Sequence, residues 1–179
     1  PHNEERAQGQ LIFLRNACPK TQKKEILLAL EDTFNIRRSA PERIFEDFPR
    51  FLDTPYLINA DFRLMHPNIK VTNFSADTGT PLDNAPIKTA QPCLLAVGPN
   101  KAAISSYFIA VEKKVLPIDA TDSSAAFDTL FKCHFVFNTN FDTNLSMYYN
   151  FLQEFYYKME SNVRFTARMR EVRAWLTQI

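Results

Sequence analysis

The prolines decide most about where this chain can be regular. There are 11, and apart from Pro1 they all fall between Pro19 and Pro117. A proline inside a helix removes a backbone donor and clashes with the preceding turn, so each one opens, ends or kinks a helix. Pro19 ends a run from Glu4 to Asn16 that carries Ala7, Leu11 and Leu14 at helical spacing. Thr21 is placed to cap a second helix, with Glu25 close behind and Ile26, Leu27, Leu30 and Phe34 as its apolar stripe. Lys23, Lys24, Glu31 and Asp32 take its other faces. Arg37-Arg38 stands near its end, where cations complement the helix dipole. Pro41 suits a first helical turn, with Ile44, Phe45 and Phe48 behind it. Pro49 and Pro55 forbid one helix through 48–55. Asp53 or Thr54 is expected to cap a short helix opened by Pro55 and carrying Tyr56, Leu57, Ile58 and Phe62. Pro67, Pro81, Pro86 and Pro92, with Asn, Asp, Thr and Gly79 between them, mark 67–92 as a loop or linker.

The period then changes. Cys93 to Val97 is a short apolar run ended by Gly98-Pro99-Asn100, a turn signal. Tyr107 to Val111 is aromatic and β-branched. Val115-Leu116-Pro117-Ile118 reads as an edge strand, because Pro117 bars a central position. Helical spacing returns after Ser123 or Ser124, through Phe127, Leu130, Phe131, His134 and Phe135, and Asn138 to Asn140 breaks it. Thr143 or Asn144 starts another helix. There Leu145, Tyr148, Leu152, Phe155 and Met159 step by 3, 4, 3 and 4 as a heptad-like seam, widened by Tyr149, Phe151, Tyr156 and Tyr157. After Ser161-Asn162 a final helix carries Phe165, Met169, Val172 and Leu176 as its stripe. The expected fold is a mainly helical α+β domain, with an antiparallel sheet of two or three strands packed against the C-terminal helices. Residues 1–66 form a helical part, 67–92 a linker, and 93–179 the sheet with three helices, all within one compact domain.

Composition removes whole classes of function. With 21 basic and 20 acidic residues the net charge is +1, which suits neither a basic nucleic-acid coat nor an acidic tail. The 3 glycines, Gly9, Gly79 and Gly98, stand too far apart for a phosphate-cradling loop. Cys18, Cys93 and Cys133 form no metal-type pair, and Cys133-His134 neighbours point about 100° apart on a helix, so neither metal nor cofactor is expected. Three small buried hydrophobes in a reducing compartment fit better, which places the protein inside the cell, in cytoplasm or nucleus. The longest apolar run, Cys93 to Val97, is far short of the about 20 residues of a membrane span. The polar start shows no signal peptide. Pro1-His2 without Met reads as a fragment of a longer protein with a short foreign start.

Single residues offer little chemistry. His134 sits among Phe131, Phe135 and Phe137 with no identifiable nucleophile or acid partner, so a packed histidine is expected and the chain is read as no enzyme. Asp119, Asp122 and Asp128 cluster near a turn but lack the calcium-loop pattern, and Asp122 beside Ser123 and Ser124 reads as a cap. Arg164, Arg168, Arg170 and Arg173 place four guanidiniums on the last helix, a face for phosphates or an acidic partner, with Glu171 among them. The aromatic crowd at 127–157 has only Lys132 and Lys158 as basic residues, which fits a core or an interface better than base stacking.

Longer stretches carry a resemblance. They are Pro92-Cys93-Leu94-Leu95-Ala96-Val97-Gly98, Tyr107-Phe108-Ile109-Ala110-Val111-Glu112, and Ala126-Phe127-Asp128-Thr129-Leu130-Phe131-Lys132-Cys133-His134-Phe135-Val136-Phe137-Asn138. Phe151-Leu152-Gln153, Arg168-Met169-Arg170-Glu171-Val172-Arg173, and upstream Phe48-Pro49-Arg50-Phe51-Leu52-Asp53-Thr54-Pro55 with Asp61-Phe62 extend it from about residue 25 onward. Together they resemble the C-terminal region of sterile alpha motif domain-containing protein 3-like proteins, large animal proteins of which some are linked to mobile elements. The matching motifs are hydrophobic and carry no catalytic residue. The resemblance implies a C-terminal, intracellular domain of a multidomain protein. The expected function is a non-enzymatic protein-interaction or self-association module, dimeric or bound to a protein partner and not to a membrane. Tyr149, Tyr156 and Tyr157 would be its anchors and Arg168, Arg170 and Arg173 its rim. The competing expectation is nucleic-acid binding through the arginine helix.

Overall fold

The computed structural model describes residues 2–68, 91–100 and 102–177; most of the expected 67–92 linker lies outside them. The fold is mainly helical α+β with one small antiparallel sheet. Among the described residues, 2–67 and 91–139 form one compact unit and 140–177 form another. That border falls inside the 93–179 stretch.

In the first unit the prolines act as punctuation. Helix α1 is His2–Asn16, ending before Pro19, and α2 is Lys23–Asp32. The N-cap of α2 is Gln22, not Thr21. Gln22 turns its side chain back instead, and Oε1 accepts from the Cys18 amide at 2.8 Å. Nor does α2 run on to Phe34. Thr33 interrupts it, its hydroxyl donating to the Ala29 carbonyl at 2.7 Å, and a separate helix α3, Phe34–Ser39, begins. A 3-10 turn at Pro41–Arg43 leads into α4, Ile44–Asp47, and another follows at Pro49–Leu52. Helix α5, Leu57–Met65, starts later than expected. Neither Asp53 nor Thr54 caps it by side chain; Tyr56 holds the N-cap, and the Thr54 hydroxyl is turned to Asp53 at 2.8 Å.

Strands β1 Cys93–Val97, β2 Ser106–Val111 and β3 Lys114–Pro117 pair in that order. Leu95 faces Phe108 across the first ladder, and Ile109 faces Leu116 across the second. Pro117 lies in β3, which pairs only with β2, as its missing donor requires. The β2–β3 connection leaves just Glu112 and Lys113, both left-handed at φ 50° and 62°, the signature of a tight type I′ hairpin made without glycine. Gly98 is obligatory for a different reason. A Cβ there would lie 2.1 Å from the Ala103 carbonyl oxygen.

Helix α6, Ser123–Val136, packs on β1, β2 and α5. Asp122 caps it, accepting from the Ser124 and Ala125 amides at 2.9 Å each. These bonds, that from Ala125 first, hold the Asp122 carboxyl below its ordinary value. The helix is buried around most of its circumference, and Phe137 just past its end packs on Phe45 and Phe51.

An ion network with a fully buried centre ties these helices together. Arg37 and Asp61 are both sealed from solvent. The Arg37 guanidinium donates to Asp61 through Nε at 3.1 Å and through Nη2, and Nη1 reaches the Thr33 hydroxyl at 2.7 Å. Arg38 donates to the other Asp61 oxygen at 3.2 Å and to the last carbonyls of α6, Phe135 at 3.3 Å and Val136 at 2.8 Å. Neither arginine is merely a dipole-complementing surface cation, as the sequence spacing suggests. Removing one partner of such a pair strands a buried charge, at a typical cost of about 3–5 kcal/mol. Asp61→Ala is therefore expected to lower unfolding stability by about that amount in urea titrations. The double variant Arg37→Met with Asp61→Leu should lose less. A change under about 1 kcal/mol in Asp61→Ala would contradict this account of the core.

Candidate interaction surfaces

The second unit holds the residues expected to meet a partner. Helix α7, Ser146–Phe151, runs directly into a π-helical turn, Leu152–Tyr156. The Tyr157 amide donates to the Leu152 carbonyl at 2.9 Å, an i to i+5 bond that widens the turn by one residue. This breaks the expected seam. Leu145 and Tyr148 are exposed at 51% and 44%, while Tyr149, Leu152 and Tyr157 are buried. Tyr149 stacks on Phe141 with centroids 4.8 Å apart, and Tyr157 meets Tyr156 edge-on at 4.9 Å. Of the three tyrosines expected to anchor a partner, Tyr149 and Tyr157 are thus interior and only Tyr156 is half-exposed. The spacing assumes 3.6 residues per turn throughout; the π turn shifts Tyr157 relative to Leu152, while Tyr149, which precedes it, is turned inward onto Phe141.

Helix α8, Ala167–Leu176, is capped by Thr166, whose hydroxyl accepts from the Met169 amide at 3.3 Å. Arg164, Arg168, Arg170 and Arg173 are all exposed, and none forms an ion pair among the described residues. Arg173 lies over the Phe155 ring at 4.6 Å. The expected stripe is only partly covered: Phe165 packs on Phe155 at 5.1 Å, but Val172 and Leu176 are exposed. Trp175, at 63% exposure, lies beside them. The helix therefore presents arginines and an apolar arc together.

A different feature stands in the first unit. Helices α2 and α5 leave an open groove of about 500 Å³ between them, lined by Leu27, Leu28, Leu30, Ala60 and Leu64. Leu28 is 63% exposed at its mouth. Lys24 and Glu31 lie along α2 at its edge, and Arg63 on α5. The sequence reading placed Leu27 in the buried stripe and did not single out Leu28. The signal was the unbroken apolar run Ile26 to Leu30, wider than one helix face can bury.

Two polar residues of α6 are buried with hydrogen-bond partners. His134 is buried, with Nδ1 3.2 Å from the Thr139 hydroxyl. Lys132 is buried too. It pairs with Asp128 and donates to the Asn59 side chain at 2.9 Å, while burial pulls the ammonium below its ordinary value against the pull of Asp128. Among the described residues no group of three or more His, Cys, Asp or Glu could hold a metal ion. None of their helices is long and apolar enough to cross a membrane. Comparison with protein-family models, curated proteins and solved structures finds no match to this chain.

Two titrations check this geometry. Burial pushes Tyr149 up from 10.0 to about 12, with Tyr148 and Asp142 adding to the effect. A tyrosine whose folded value is raised contributes fully below its unfolded value, and that contribution is lost as pH rises through the folded one. Stability should therefore fall between pH 10 and about 12, more steeply than in Tyr149→Phe. Alkaline denaturation followed by circular dichroism is the check, and identical slopes would place Tyr149 at the surface. The cysteines give the second check. Burial raises the Cys133 thiol far above its ordinary value, whereas a hydrogen bond with Thr21, followed by backbone bonds, lowers that of exposed Cys18. Brief alkylation of the native protein should label Cys18 and spare Cys133, as read by peptide mass spectrometry.

Proposed function

We propose that this chain is a non-enzymatic protein-interaction module. The single observation that carries this reading is the open apolar groove between α2 and α5, with a leucine exposed at its mouth. An open apolar groove between two helices is the shape into which a partner helix lays its apolar face. The apolar arc of α8, Val172, Trp175 and Leu176, is a second contact surface. It supports the self-association half of the proposal, with Tyr156 and the arginines at its rim and no role for the interior Tyr149 and Tyr157. The resemblance to the C-terminal region of sterile alpha motif domain-containing protein 3-like proteins points the same way, toward a domain of a larger intracellular protein. The free thiols Cys18 and Cys133 suit a reducing compartment.

A nucleic-acid-binding reading has one specific observation in its favour, the four exposed arginines without ion-pair partners among the described residues. Against it stand Glu171 among them and the near-neutral chain. Two experiments separate the readings. A photoreactive residue placed at position 28 in cells should give discrete protein adducts that the same residue at Glu112, in the hairpin turn, does not. Fluorescence anisotropy with labelled oligonucleotides at low and moderate salt should show no saturable binding. Steeply salt-dependent binding that disappears when Arg168 and Arg173 are both changed to Glu would reverse the ranking, and the absence of adducts at position 28 would remove the first reading.

A further inference from the structure

The groove between α2 and α5 has walls of a defined chemistry. Its apolar lining is Leu27, Leu30, Ala60 and Leu64, with Leu28 exposed at the mouth. Each wall carries a cation, Lys24 from α2 and Arg63 from α5, both exposed and without an ion-pair partner among the described residues. Glu31 is the single carboxylate lining it among the described residues. The walls are helices whose mid-helix amides and carbonyls are already bonded, so they offer an incoming backbone nothing to pair with. An extended strand docked there would bury its own amides and carbonyls without partners, whereas a helix arrives with them satisfied.

Charge then selects among helices. The chain's own exposed amphipathic helix, α8, carries Arg168, Arg170 and Arg173 against one Glu171. Brought to Lys24 and Arg63 from a second copy, it would set like charge against like. We infer that the groove receives an amphipathic helix of another protein, one whose leucine-type stripe is flanked by carboxylates that pair with Lys24 and Arg63. This rests on the interaction-module reading and specifies its partner.

The test uses three labelled synthetic peptides titrated against the full chain by fluorescence anisotropy. The first is a helical peptide with Leu at i, i+3, i+4 and i+7 and Glu at the flanking positions. The second is its twin with each Glu replaced by Lys. The third has the sequence of residues 164–177. The Glu peptide is expected to bind at least about tenfold more tightly than its Lys twin at low salt, with the gap narrowing as salt rises. Leu28→Asp should abolish binding, and Lys24→Glu with Arg63→Glu should invert the preference. All three positions are exposed, so unchanged circular dichroism and melting temperature will show that these variants are folded. Equal affinity for the two twins overturns the charge inference while leaving the groove as a docking site. Tighter binding of the 164–177 peptide overturns it in favour of a second copy. No binding of any peptide removes the helix-in-groove inference itself, while the adducts at position 28 report separately on whether this face meets a protein.

Discussion

The buried contact among Arg37, Asp61 and Arg38 holds the first unit together. Three segments are joined through one carboxylate and the two arginines that bind it. Arg37 and Arg38 come from α3, Asp61 from α5, and Arg38 continues to the final carbonyls of α6. Taking a guanidinium and a carboxylate out of water is expensive, and burial indeed pulls Arg37 below its ordinary value while Asp61 acts in the opposite direction. The arrangement persists because almost every donor has an acceptor in a fixed place. The planar guanidinium fork suits this task better than a lysine would.

The rest of the unit follows from that constraint. Thr33 serves both ends of the device: its hydroxyl donates to Ala29, which ends α2, and accepts from Arg37, which starts the network. The break at Thr33 and the pair at Asp61 together set α2 and α5 beside one another, and the groove is the space they leave. On the other side of α5, Phe62 packs edge-on to Phe135 of α6, and Lys132 reaches Asn59. Helix α5 is thus fixed on its inner face by charge and aromatic packing. Its outer residues Ala60, Arg63 and Leu64 line the groove.

Much of this was legible in the sequence, and the failures have identifiable causes. The prolines located most breaks between the N-terminal helices, though not the one at Thr33, and Pro117 correctly marked an edge strand, because covalent constraints act locally. The three strands and the Asp122 cap were legible for the same reason. The buried Arg37 was not, because spacing along a helix does not reveal a carboxylate 24 residues away. Tyr157 was misplaced because the π turn shifts it relative to Leu152, and Tyr149 because its stacking partner, Phe141, lies outside the helix and leaves no trace in the spacing. The groove was half-visible in the run Ile26 to Leu30, but the missing wall, α5, lies beyond Pro49 and Pro55. The Arg-rich character of α8 was read correctly, and the exposure of Val172 and Leu176 was not.

The groove depends on the frame that positions α2 and α5 with a gap between them. The most direct measurement is exchange of the arginine side-chain Nε–H protons, followed by nitrogen–proton correlation NMR after transfer into heavy water. The Arg37 Nε–H, which donates to Asp61 at 3.1 Å inside the core, should exchange only through global unfolding. Those of the exposed Arg168 and Arg170 should be gone in the first spectrum. An Arg37 Nε–H that exchanges as fast as theirs would contradict the network, and with it the frame that holds the groove open.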